Sequence, residues 1–232
     1  PNTTFTNGYA IIDKAFSSTL GVIVDFEYKS WGLGNDSPPG MLADGLTVFL
    51  YNGSVAASSF HMGDLGGGLG YAGNASGSVS GITGGYVGIG LDEYGNFSNT
   101  AWGTPGSGSS SVNVLQSVAV RGPSNTCAYL GGTGPNLTNT GTSNVASALV
   151  GQSVSYPVLG TSVRPTDTQY YRKARAILIP VLVNSIPIDF LVSLQLGIRL
   201  NGSLYSVLNN LSVGSVPPGN LLKIGFVGST GG

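Results

Sequence analysis

The chain reads as an all-β sandwich, and three features carry that expectation. Short runs rich in β-branched and aromatic residues recur along it. Gly, Asn and Pro turns punctuate them. No segment beyond a turn or two repeats its apolar residues at the helical period of 3.6. Val22 to Tyr28 opens the series and alternates from Val24 onward. Leu46 to Tyr51 follows and closes on the turn pair Asn52-Gly53. Tyr86 to Leu91 is a strand whose glycines admit a closely approaching neighbour. Ser117 to Arg121, Ala174 to Ile179, Asp189 to Leu194, Gly197 to Asn201, Ser203 to Leu208 and Leu221 to Val227 complete the strand set. Trp102 to Ser111 and Gly131 to Val145 read as loops rich in small polar residues. Neither has the length or charge of a linker, so residues 1–232 are expected to form one domain.

Composition narrows the function classes. Only 8% of the residues are charged, about a third of the usual ~25%. Yet 41% are hydrophobic, so a core is affordable and disorder is excluded. Solubility falls to hydroxyls and amides, a pattern common on extracellular β proteins. Nine basic residues against ten acidic give a net charge of -1. The one basic cluster, Arg172, Lys173 and Arg175, alternates like the solvent face of a strand, which argues against a nucleic-acid surface. The most apolar run, Ala176 to Val183, is interrupted by Pro180 and too short to span a bilayer, so no membrane insertion is expected. Cys127 stands alone, which rules out an internal disulfide or a cysteine-based zinc site. Neither end carries a targeting pattern, and the expectation is a mature or excised module that is secreted or displayed on the cell surface.

Four segments carry a resemblance. They are Ala43-Asp44-Gly45-Leu46-Thr47-Val48-Phe49-Leu50, then Gly66-Gly67-Gly68-Leu69-Gly70-Tyr71-Ala72, then the stretch Gly84 to Ser98 with Asp92-Glu93-Tyr94-Gly95-Asn96-Phe97 at its end, and Ile224-Gly225-Phe226-Val227-Gly228-Ser229-Thr230-Gly231. Asn7-Gly8-Tyr9-Ala10 and Ser117 to Gly122 also fit. In this order and spacing, across nearly the whole chain, they resemble the L-type lectin family. Within it they are most similar to the lectin-like domains of bacterial surface and secreted proteins. The resemblance implies one concanavalin A-like antiparallel β-sandwich, a jelly roll, that binds a glycan and is not an enzyme. It places the sugar-binding carboxylate at Asp44, the close backbone approach at Gly67 and the amide at Asn96. It also implies a non-proline cis bond between Ala43 and Asp44.

The residue chemistry suits that assignment. A sugar presents hydroxyls that donate and accept, and an apolar C–H face. Its site needs a carboxylate, a free N–H, an amide and an aromatic ring. For the ring we choose Trp102, which lies in a polar loop with little apolar company. Read singly, Asp44-Gly45 is also an ordinary turn, Gly66 to Gly70 a loop, and Gly95-Asn96 a turn.

The pattern departs from the family in two places. Legume-type members hold a transition metal and a calcium ion beside the sugar. Gly90 stands where the transition-metal Glu belongs, and no His follows Asn96; the single histidine is His61. No transition metal is therefore expected. Three calcium ligands survive in the resemblance: the Asp92 carboxylate, the Tyr94 carbonyl and the Asn96 side chain. The alternative is that Asp92 and Glu93 hydrogen-bond the Gly-rich loop and hold it without metal. The second departure is that the family's outermost N- and C-terminal strands lack counterparts. That leaves sheet edges for a neighbour to cover and opens the other reading, a homo-oligomer or filament subunit assembled by strand addition, with Pro1 to Thr6 as donor.

Catalytic readings are weak. Asp92 and Glu93 are adjacent, so on a strand they point to opposite faces, unlike the paired carboxylates of glycosidases. No G-x-S-x-G is present, and His61 is the only imidazole. Gly68 to Gly73 matches G-x-G-x-x-G but lacks the following helix of a dinucleotide site.

Overall fold

In a computed structural model of the chain, residues 6–34, 42–74, 76–99, 113–155, 158–167, 171–198 and 202–230 are described. Twelve strands run in the order β1 (Thr6–Ser17), β2 (Val22–Tyr28), β3 (Trp31–Gly32), β4 (Gly45–Asn52), β5 (Gly85–Asp92), β6 (Ser117–Arg121), β7 (Tyr129–Gly132), β8 (Val158–Leu159), β9 (Arg172–Val183), β10 (Ile186–Gly197), β11 (Leu204–Ser212) and β12 (Leu221–Thr230). Ten of them build an antiparallel β-sandwich. A six-stranded sheet has the order β1-β12-β4-β5-β6-β7, and a four-stranded sheet has the order β11-β10-β9-β2. The two-residue strands β3 and β8 pair in parallel.

Strand patterning dictates this arrangement. In β9, Ala174, Ala176 and Leu178 are buried while Lys173, Arg175 and Ile177 are only partly so. Period-2 alternation therefore sends one set to the core. On the facing sheet, Val48 and Leu50 of β4, Ile89 and Leu91 of β5, and Val118 and Val120 of β6 meet Leu178, Val192 and Leu194 in one apolar cluster. Strands β4, β5 and β6 at the middle of the six-stranded sheet are buried along most or all of their length, so both faces are covered there; every residue of β5 is buried. Residues 53–74 and 76–84 account for this by covering the sheet's outer face. There Phe49, Tyr51, Tyr71, Phe97 and Val227 form a second cluster, with Phe60 stacked 6.0 Å from Phe49.

The structure extends several strands beyond their expected ends. β9 continues through Pro180, which lies past Leu178, the last residue that β2 pairs, so the missing N–H removes no bond to β2. Gly197 ends β10, and residues 199–201 of the expected strand Gly197–Asn201 lie outside the described residues. Gly131 and Gly132, expected in a loop, belong to β7 and pair with β6. β1 is a full 12-residue strand that the pattern of its residues did not announce. Exposed apolar groups stand on both of its faces, Tyr9 and Ile12 being more than half exposed. Among the described residues, no helix is long and apolar enough to cross a membrane.

Close approach is decisive at Gly90. A β-carbon there would overlap the Phe97 ring, and one at the neighbouring outward position, Gly88, would overlap Tyr71. Gly90→Ala is therefore expected to lower unfolding free energy by about 1–3 kcal/mol through overpacking, read as a lower urea midpoint at constant slope. An unchanged midpoint would show that Phe97 is free to move away.

Candidate functional site

The six-stranded sheet brings four of the sequence motifs to one end. β4 begins there at Gly45, which pairs with Asp92 at the end of β5 and with Ser229 near the end of β12. Asp92 in turn pairs with Ser117 at the start of β6. Strand register alone thus gathers Asp44, Asp92, Ser117 and Ser229. The Ala43–Asp44 peptide bond is cis, as the resemblance implies.

Asp44 ties this end together through its backbone. Its N–H donates to the Ser229 carbonyl (2.9 Å), and its carbonyl accepts from Glu93 N–H (3.0 Å) and Tyr94 N–H (3.3 Å). Its carboxylate is buried and faces the glycine loop: a β-carbon built on Gly66 would stand 3.8 Å from Asp44 Oδ2. The loop folds as a short 3-10 turn, Gly66–Gly68. The Gly66 N–H donates to Ser229 Oγ (2.9 Å), fastening the loop to β12. Gly67 sits at the middle of that turn and is buried; among the described residues nothing accepts its N–H.

Asn96 lies on the turn that follows β5. Asp92 organises it. Asp92 Oδ1 accepts from Gly95 N–H (2.8 Å), and Oδ2 accepts from Ser98 N–H (2.7 Å) and the Ser98 hydroxyl (2.8 Å). The turn needs glycine at position 95, where φ is +95° and a β-carbon would meet the Val114 nitrogen at 2.5 Å. Asn96 and Tyr94 are half-buried, and among the described residues no group takes the Asn96 side chain. Glu93 points elsewhere, its Oε1 accepting from the Ser30 hydroxyl at 2.6 Å. Among the described residues, the carboxylate–loop hydrogen bonds run from Asp92 to its own turn and from Glu93 to the segment before β3, not to the glycine loop.

Arg121, at the end of β6, is fully buried beneath this turn. Its Nε donates to Phe97 O (3.1 Å), Nη2 to Asn99 O (2.7 Å) and Nη1 to Cys127 O (2.8 Å). Its guanidinium carbon stands 5.1 Å from the centre of the Phe97 ring. Sequence reasoning passed over Arg121, Ser229 and Ser30. A charged residue closing the apolar strand Ser117–Arg121 is the available signal for the first, and Ser229 belongs to the Ile224–Gly231 motif. Nothing in the sequence marked Ser30. Trp102 lies outside the described residues.

This end can offer a sugar the carboxylate of Asp44, the N–H of Gly67 and the amide of Asn96. Its ability to hold a cation is poorer. Both Asp92 oxygens already accept N–H or O–H donors, and among the described residues no group of three or more His, Cys, Asp or Glu could hold a metal ion.

Burial pushes the Asp92 carboxyl up to about 6, against the Ser98 and Gly95 donors and the nearby Arg121 charge, which pull it down. In the unfolded chain it titrates near ~3.9. The folded form therefore takes up the proton first, and this group's contribution to stability grows as pH falls from 7 to 4, by up to about 3 kcal/mol. Urea titrations in metal-free buffer across that window should give a steeper gain in acid for the native chain than for Asp92→Asn; parallel curves would contradict the assignment. Compared with known families and curated proteins, the chain matches no family model and no curated relative.

Proposed function

We propose that this chain is a glycan-binding, L-type lectin-like module of a secreted or cell-surface protein, with the jelly-roll topology of that family and no catalytic role. The observation that carries the reading is the convergence at one end of the sandwich of Asp44, the Gly66–Gly68 turn and the Asn96 turn. The four motifs lie far apart in sequence, yet β4, β5 and β12 bring three of them side by side, and the Gly66 N–H bond to Ser229 Oγ fastens the glycine loop beside them. A buried carboxylate, a backbone N–H and a half-buried amide make the donor and acceptor set that a pair of sugar hydroxyls requires. Asp92 and Glu93, the one adjacent pair of acids in the motif, each fasten a loop. That use supports a binding role over an acid–base one.

The test is a glycan array followed by titration calorimetry. Asp44→Ala and Asn96→Ala should each abolish binding of any glycan found, while thermal unfolding stays cooperative. Unchanged affinity in both variants would remove the site from this end.

One observation favours a second reading, assembly by strand addition. Four strands cover six, and one flank of the six-stranded sheet overhangs. Ala10 and Ile12 of β1 pair with Phe226 and Ile224, which face the core, yet Ala10 is exposed and Ile12 is 56% exposed. Beside this flank β2 ends the four-stranded sheet, and among the described residues its outer edge has no strand neighbour. An added strand would satisfy that edge and cover Ile12. Light scattering on the full chain, on a chain lacking Pro1 to Thr6 and on Ile12→Lys separates the readings. Oligomers lost in either variant would favour assembly; a monomer in all three would discard it.

A further inference from the structure

The L-type resemblance puts two cations beside the sugar, and the residues here do not fit them. Where a transition-metal Glu would stand, the backbone of Gly90 lies against the Phe97 ring, leaving no room even for a β-carbon. Where calcium would draw on Asp92, three hydrogens already point at its oxygens, from Gly95 N–H, Ser98 N–H and the Ser98 hydroxyl. The Ser98 hydroxyl is shared in turn with Ser117. Calcium takes 6–8 oxygens; here the carboxylate oxygens are spent on donors of the chain itself.

The positive charge at this place is Arg121. It reaches the loop from below and takes the carbonyl oxygens of Phe97 and Asn99, which flank Ser98, while its third contact, Cys127 O, anchors it to the neighbouring loop. Asp92, on the same face of the sheet, grips the same turn through its N–H groups. The turn carrying Asn96 is thus held jointly by a carboxylate that collects N–H groups and a guanidinium that collects C=O groups. A planar guanidinium with five directed donors can do this; a lysine ammonium, with its donors on one atom, does not span three separated carbonyls.

We propose that Arg121 is a positioning residue for the glycan-binding turn, a fixed internal cation that builds the Asn96 turn without a metal ion. The inference rests on the glycan reading only for what the turn is for; its tests use no glycan, so the two can fail separately.

Two experiments decide it. The native chain, dialysed against EDTA, should keep its melting temperature and show neither a shift nor binding heat when calcium or manganese chloride is added. A calcium-dependent rise in melting temperature, or stoichiometric uptake, would overturn the proposal, and this arm needs no variant to fold. In Arg121→Lys, hydrogen exchange at the Gly95, Ser98 and Asn99 amides should quicken at least about tenfold while Val192 and Leu194 in β10 keep their protection. Added calcium should not restore it. Uniform loss of protection would mean a general core role, and calcium rescue would mean a metal site; either result removes Arg121 as the internal cation.

Discussion

A buried guanidinium is tolerable only when its N–H groups find oxygens, and Arg121 meets that demand with carbonyls from two loops. β6 supplies the geometry. Its alternation sends Val118 and Val120 into the space between the sheets and leaves Ala119 and Arg121 on the other face, under the covering segment. Breaking a buried charge from its partners typically costs about 3–5 kcal/mol, so the carbonyls of Phe97, Asn99 and Cys127 are held where the guanidinium needs them. Phe97 then fills the space above Gly90, and Cys127 is fixed at φ +47° against Gly81. The candidate end of the molecule inherits its shape from this one side chain and from Asp92 on the same face of the sheet.

Much of the sandwich was legible in the sequence because burial on one or both faces leaves a period-2 or continuous apolar trace. Val22–Tyr28 and Ser117–Arg121 are found with the ends the residues suggest. β1 left no such trace: it lies at a sheet edge, with few of its side chains committed to either cluster. β7 was hidden because Gly131 and Gly132 carry no strand propensity; their place is set by pairing with β6 and by the Thr142 hydroxyl, to which Gly132 N–H donates.

The candidate site was legible in part. Asp44, Gly67 and Asn96 were visible only because several weak motifs occurred together, and strand register explains why they meet. The supporting contacts were not visible. Ser229 holding Gly66, Ser30 holding Glu93 and Arg121 holding the Asn96 turn are long-range hydrogen bonds, separated by 163 and 63 residues in the first two cases. Local pattern has no access to such distances. The direction of the Asp92 carboxylate was equally hidden, since the same residue would serve a metal or a turn and only the donors around it decide.

The central claim is that a glycan docks at the end of the six-stranded sheet where β4 begins and β5 and β12 finish. The most direct measurement is amide chemical-shift mapping of the isotope-labelled chain during titration with a glycan selected on an array. Concentration-dependent shifts are expected at Asp44, Gly67 and Asn96, with the amides of β9 and β10 unmoved. Shifts confined to the exposed edge of β2 or to the overhanging flank at Ile12, or no saturable shift with any arrayed glycan, would contradict it.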